Sequence, residues 1–291
     1  MNNKLNNMVN QFLANNNTEN EEELNKKLQE FIKKLNTNEI EYNNTPLDDA
    51  YELLEKADEA KTEKLAIKYA KKAYEICPDC FDAILFQVNL EDDPLKRWDL
   101  LNKGLEKESK RLENADFFQK DNIGYFYGIF ETRPYMRGLY AKANYLLLDG
   151  KIKQALNVCK EILRLNKNDN LGARYLLMAI YAYLEEEQEM LKLYKKYSEE
   201  NLEMLFPLFV LYYKLGNDDL AKKYLKRINK ANSNFLKLFK GTIKINEDTP
   251  KGYYAIGDAS EVIMYFQQYY FLINTLPTIE RYILENSKNK K

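Results

Sequence analysis

Displaced by 66 residues, the chain lies over itself. The stretch YLLLDGKIKQALNVCKEILRLN (residues 145–166) aligns with LYYKLGNDDLAKKYLKRINKAN (211–232). Gly150 falls on Gly216, Ala155 on Ala221, Cys159 on Leu225, Ile162 on Ile228 and Asn166 on Asn232. Self-similarity at such a spacing is the mark of stacked helical units of about 33 residues, and 66 residues hold two of them. A degenerate unit is therefore expected between, at about 170–201. There LGARYLLMAIYAYLEEEQEMLKLYKKYSEE reads as an apolar helix, a charged turn and an amphipathic helix. Glycines at 150 and 216 suit a tight turn between two helices, and the alanines let helices approach closely.

The same grammar begins near Leu47. KLAIKYAKKAYEICP sets Ala66, Ala70 and Ala73 on one helical face and ends at Pro78. Between about 105 and 131 the register breaks, where ENADFFQKDNIGYFYGIFETRP brings two glycines and many aromatics. GYFYG lacks the preceding strand and the Lys-Ser/Thr pair of a phosphate loop, so its aromatics are expected to plug the insertion onto the array. Pro134 suits the first turn of the next helix, where its missing N–H has no partner to lose. Residues 1–45 are expected to be a mobile, Asn-rich tail. Its EEELNKKLQEFIKKLN forms a short amphipathic helix with Leu24, Leu28, Phe31, Ile32 and Leu35 on one face. Residues 236–291 are expected to hold a turn-rich linker and capping helices. ASEVIMYFQQYYFLINTL is read as one apolar helix stopping at Pro277 and covering the last exposed edge of a solenoid. With only 10 Gly and 7 Pro in 291 residues, nothing favours a sheet-rich fold. The expectation is an all-α, right-handed solenoid of about five antiparallel helix pairs over 46–235, with a C-terminal capping helix.

The residues over about 47–235 resemble the tetratricopeptide repeat superfamily, whose 34-residue pattern closes its second helix with Ala and Pro. More narrowly, they resemble a mostly bacterial branch similar to the suppressor-of-tumorigenicity-7 protein. The resemblance rests on ICPDC (76–80), ETRPYMR (131–137), LNKNDNLGARYLL (165–177) and GDASEV (257–262). Three departures stand out: Lys167 replaces an expected closing Pro, Tyr127 stands where a Trp is expected, and the His/Cys-rich zinc tail of some relatives has no counterpart. The resemblance implies a fold and no catalytic residues.

The chain has no histidine. That removes Ser-His-Asp and Cys-His nucleophile pairs, imidazole metal ligands and the commonest general base. No coherent acid/base constellation replaces them, so the protein is expected not to be an enzyme and to need no cofactor. Lys+Arg of 44 against Asp+Glu of 45 leaves a net charge of -1 and no global field toward nucleic acid or anionic membrane. The longest apolar run, MLFPLFVLYY, is too short to span a bilayer and contains Pro207. Three cysteines, an odd number, and no apolar leader point to a reducing cytoplasm.

Two candidate sites follow. Cys77-Pro-Asp-Cys80 reads as a redox pair, half a metal site or two small residues at a helix end. A zinc site needs two more ligands, and Cys159 is the only other thiol. Cys77 closes a helix, where the dipole disfavours a thiolate, so Cys80 is the more plausible reactive thiol of a redox-responsive regulator. The other candidate is a peptide-binding groove lined by the first helices of successive pairs. Arg137, Tyr140 and Asn144 lie on the face opposite Leu139, Ala143 and Leu146. Arg174, Met178 and Tyr181 occupy the next first helix, and Phe206, Val210 and Tyr213 the one after. Two arginines among aromatics suit an acidic or C-terminal peptide, since Arg binds carboxylates bidentately. The alternative is that the aromatics are core and the arginines solvated. The lysine- and asparagine-rich carboxylate clamp that grips heat-shock protein tails is matched only at Asn144. The charge clusters at 61–72 and 183–189 are expected to face water. The function expected is a non-catalytic adaptor binding a protein or peptide partner.

Overall fold

In a computed structural model of the chain, residues 8–9, 12–13, 16, 20–37, 44–244 and 255–287 are described. Parts of the expected tail (1–7, 10–11, 14–15, 17–19 and 38–43) and of the linker (245–254) lie outside them. The chain divides into two compact units, residues 1–118 and 119–291. The boundary falls inside the stretch where the repeat register breaks.

Among its described residues, unit 1 has five helices of full definition, besides the short helical stretches at 8–9 and 12–13. α1 (Glu21–Asn36) is the amphipathic segment of the N-terminal region, with Asn20 accepting from the Glu22 and Glu23 amides. α2 (Pro46–Asp58) starts at a reciprocal cap. Thr45 accepts from the Asp48 amide at 3.2 Å while Asp48 accepts from the Thr45 amide at 2.9 Å. α3 (Glu63–Ile76), α4 (Phe81–Leu90) and α5 (Pro94–Asn114) follow, with α2 packed on α3, α3 on α4 and α4 on α5. Ala50, Leu53, Ala73, Cys80 and Ala83 form the core between them. α5 runs well into the expected insertion. Leu101, Leu105, Glu108 and Leu112 recur on one buried face and carry the helix onward. Gly104 is tolerated within it because a Cβ there would lie 2.7 Å from the Phe81 ring.

Unit 2 begins irregularly. Gly124 (φ +103) receives the Lys167 amide on its carbonyl at 2.8 Å and donates to the Leu165 carbonyl at 2.9 Å. Of the GYFYG aromatics expected to plug the insertion, only Phe126 is fully buried while Tyr125 is 59% exposed, and two short 3-10 turns lead to Thr132. Thr132 is fully buried and donates to carbonyls of the preceding turn. Three helix pairs follow: α6 (Arg133–Leu148) with α7 (Ile152–Leu165), α8 (Ala173–Leu184) with α9 (Glu187–Tyr197), and α10 (Leu202–Lys214) with α11 (Asp218–Ala231). α8 also packs on α7 and α10. Then come α12 (Phe235–Phe239), α13 (Ala259–Tyr269) and α14 (Ile279–Asn286). Among the described residues there is no strand, only two isolated bridges at Asn166.

The 66-residue correspondence survives position by position. Gly150 and Gly216 adopt left-handed φ of 70 and 69° at equivalent helix ends. Ala155 and Ala221, Cys159 and Leu225, Ile162 and Ile228, and Asn166 and Asn232 are all buried to within 1% exposure. In the middle pair the same turn is made by Glu185 at φ 60°. The C-terminal expectation needs correcting. α13 stops at Tyr269, eight residues before Pro277, and tightens into a 3-10 turn over Tyr270–Leu272 that buries Leu272. The five-residue α12 was also not anticipated.

Candidate functional site

The expected groove face of α6, α8 and α10 is already covered by the end of the chain. From α10, Phe206 meets Phe266 edge-on at 5.0 Å and Tyr265 at 5.5 Å. Tyr213 packs on Tyr282 at 5.0 Å and hydrogen-bonds Thr278. Tyr183 of α8 lies 5.9 Å from Phe271. On α6 the Tyr140 hydroxyl hydrogen-bonds Gln268. Aromatic pairs of this kind contribute about 0.5–1.5 kcal/mol each beyond the area they bury.

Several sequence-predicted contact residues therefore change role. Met178, Phe206 and Val210 are completely buried and Tyr181 nearly so, which places them in the core. Arg174 is not a free anchor for a carboxylate. Its Nη1 donates to Asp169 at 2.9 Å, Nη2 donates to the Tyr175 hydroxyl at 2.6 Å, and Nε lies 3.0 Å from Glu199. The guanidinium is also stacked 4.1 Å from the Tyr175 ring centre. Its pKa is raised by Asp169, Tyr175 and Glu199 against the opposing effect of burial. Asn144 donates back to the Tyr140 carbonyl at 2.9 Å. Arg137 and Tyr140 are half-buried on α6.

The turn that holds Arg174 is built by its own sequence. Asp169 adopts φ 49° and sends its carboxylate to the Ala173 amide at 2.7 Å and the Arg174 amide at 2.9 Å, capping α8. Burial pushes this carboxyl up while the amides and Arg174 pull it down. Lys167, where a proline was expected, uses its N–H on Gly124, a bond proline has no donor for. The equivalent turn at Asn232 is held by GDASEV. Glu261, 3% exposed, accepts from the Asn232 side chain at 2.8 Å and the Gly257 amide at 2.6 Å. Asp258 meanwhile caps α13.

Covering the face leaves a cavity of about 330 Å³, at the low end of small-ligand pockets. Tyr140 enters from α6, Asp169, Arg174 and Tyr175 from the 166–175 turn, Glu203 from α10, and Met264, Tyr265, Gln268 and Tyr269 from α13. Of the motifs singled out in the sequence, only LNKNDNLGARYLL (165–177) contributes lining residues to this cavity. Of the predicted groove residues, only Tyr140 and Arg174 reach it. Sequence reasoning missed Asp169, Tyr175, Glu203 and the α13 residues. Glu203 had one legible signal, an acid placed directly before the longest apolar run.

The Cys77/Cys80 reading also changes. Cys80 stands at the N-cap of α4, 1% exposed, and burial pushes its thiol up to about 12. A protonated, enclosed thiol is a poor nucleophile, so Cys80 is a packing residue. Among the described residues no group of three or more Cys, Asp or Glu is arranged to hold a metal. No helix among them is long and apolar enough to cross a membrane.

Fold and cavity define a class: an all-helical protein of paired helices whose first-helix face is filled by its own C-terminal segment. Compared with known proteins, the chain matches no family model and none of the curated sequences.

Proposed function

We propose that the protein is a non-catalytic interaction scaffold. Its helix pairs form a tetratricopeptide-like array, and its partner engages the cavity left between α6, α8, α10 and α13. The single observation that carries this reading is convergence. Three first helices and the segment covering them direct polar and aromatic side chains into one solvent-accessible space. The groove is narrower than an open peptide channel because α13 already fills much of it, so the partner inserts one side chain or chain end. The absence of histidine and the burial of Cys80 and Cys159 support a binding role over a chemical one.

Gln268 is exposed at the cavity edge, so Gln268→Trp closes the space at the cost of its hydrogen bond to Tyr140. Immobilised wild-type protein is expected to retain a partner from lysate that Gln268→Trp loses while keeping a cooperative thermal transition. Identical capture by both proteins sinks the cavity as the binding site.

A further inference from the structure

The net charge of -1 conceals a division within the chain. Residues 1–118 carry 17 Lys+Arg against 25 Asp+Glu, whereas residues 119–291 carry 27 against 20. The basic excess is concentrated, since residues 220–246 hold eight Lys or Arg and no acid. On α11, Lys222, Lys226 and Lys230 follow one another at four-residue steps and form one exposed stripe, with Lys223 beside it. Lys237, Lys240 and Lys244 are exposed on and just after α12. Among the described residues only two of the eight make an ion pair, Lys222 with Asp218 and Arg227 with Glu200. A surplus of this kind attracts an anionic surface.

An independent observation comes from the corner where α11 ends. The Asp258 amide donates to the Ala255 carbonyl at 3.0 Å and closes a turn in which Gly257 takes φ +81°. Asn232 and Asn234 donate to the Asp258 and Gly257 carbonyls at 2.8 and 3.2 Å, and Glu261 accepts from the Gly257 amide. A Cβ on Gly257 would stand 4.0 Å from the Ala231 carbonyl oxygen, so the turn lies against the last residue of α11. This fixed turn presents Ile256 at 83% exposure. Lys230 immediately precedes Ala231, and the Lys237 ammonium donates at 2.8 Å to the same Asn234 side chain that holds Gly257. An isoleucine is thus held outward beside two lysines, on a turn that needs little further ordering to bind.

Nucleic acid makes poor use of that combination. Base edges are read chiefly by arginine, and Arg227 is taken by Glu200 and Tyr194. Bases stack on open aromatic rings, whereas Tyr224 and Phe235 are buried. Phosphate contacts from lysine alone leave the isoleucine in water. A bilayer interface takes both, the headgroups meeting the ammonium groups and the acyl boundary the isoleucine. We propose that this corner is a peripheral contact for an anionic membrane surface. Ile256 enters the acyl boundary, while Lys230, Lys237 and the neighbouring exposed lysines meet the lipid headgroups. The corner shares no residue with the cavity lining, so the proposal stands or falls apart from the scaffold reading.

The full chain is floated with phosphatidylcholine vesicles and with vesicles that also contain about 30% phosphatidylserine. It is expected to bind the anionic vesicles at least about tenfold more tightly and to leave them as salt rises. Lys230→Gln/Lys237→Gln is expected to weaken binding roughly twentyfold, about fivefold for each lysine. Ile256→Ser is expected to weaken it about fivefold or more at an unchanged thermal transition, since the side chain is exposed in the free protein. Ile256→Trp adds a local reporter to the single native Trp98. Its emission, compared with wild type, is expected to move to the blue with the anionic vesicles alone. A duplex DNA oligonucleotide is run beside the vesicles, and sedimentation at low and high salt registers pairing with a second copy through its net-acidic unit 1. Vesicle binding that Ile256→Ser leaves unchanged overturns the proposal, because charge alone then holds the protein. Absence of vesicle binding overturns it too. Duplex binding then makes the lysines a phosphate-backbone surface, and a salt-sensitive dimer makes them a contact between copies.

Discussion

At the scale of single residues, the sharpest contrast is between Gly150, Gly216 and Glu185, which make equivalent left-handed turns. A side chain in that conformation costs about 1–2 kcal/mol, and glycine escapes it at a smaller entropic cost. Glu185 gains only a half-exposed ion pair with Lys214 at 3.1 Å. Lys214 is anchored independently on the Ala182 and Tyr183 carbonyls. Glu185→Gly is therefore expected to raise stability by about 0.5–1 kcal/mol, read as a higher urea midpoint at unchanged slope. The glycines were legible in the sequence because nothing else makes that turn cheaply. Glu185 was not, because its charge cluster looks like any solvated turn. Arg174 misled for a related reason. Its spacing placed it on the groove face, but only the fold brings Asp169 and Glu199 to its guanidinium.

At the scale of elements, the turns after α7 and α11 are the same device closed by different clasps. Asn166 is bridged by Gly124 and Tyr125, and Asn232 by Asp258 and Glu261. Removing the Asn232 side chain strips one hydrogen bond from the buried Glu261 and one from the Asp258 carbonyl. Asn232→Ala is expected to destabilise unit 2 by about 2–4 kcal/mol and to raise hydrogen exchange first across α13. Equal protection of α13 in wild type and variant contradicts the clasp. Helix pairing was legible from apolar periodicity, and the 66-residue match placed α6, α7, α10 and α11 closely. The resting place of α13 was not legible. Its apolar faces fit any exposed edge, and only the aromatic packing against Phe206 and the hydrogen bonds to Asn232 select one. The cavity was invisible for the same reason, since its walls come from segments up to 129 residues apart, from Tyr140 to Tyr269.

For the whole molecule, ionisation sets an asymmetric tolerance to pH. There is no histidine to titrate near neutrality. Cys80 and Cys159 are both raised to about 12, chiefly by burial. A thiol raised on folding holds its proton more tightly in the folded chain. Its contribution is fully present below the unfolded value of about 8.5 and is lost as pH climbs toward about 12. The buried Tyr265 and Tyr269 phenols, also raised by burial, act in the same sense at higher pH. Urea midpoints are expected to be nearly flat from about pH 6 to 8 and to fall steadily above about 8.5. Both thiols are expected to resist iodoacetamide at pH 8 until the chain unfolds. A midpoint that rises between pH 9 and 10 contradicts this assignment. The covering of α10 by α13 has one more consequence, for synthesis. Phe206 and Phe235 leave the ribosome well before Tyr265 and Phe266, at least 30 residues later in the chain. Until those partners emerge, the nascent unit exposes an aromatic surface that holdase chaperones recognise.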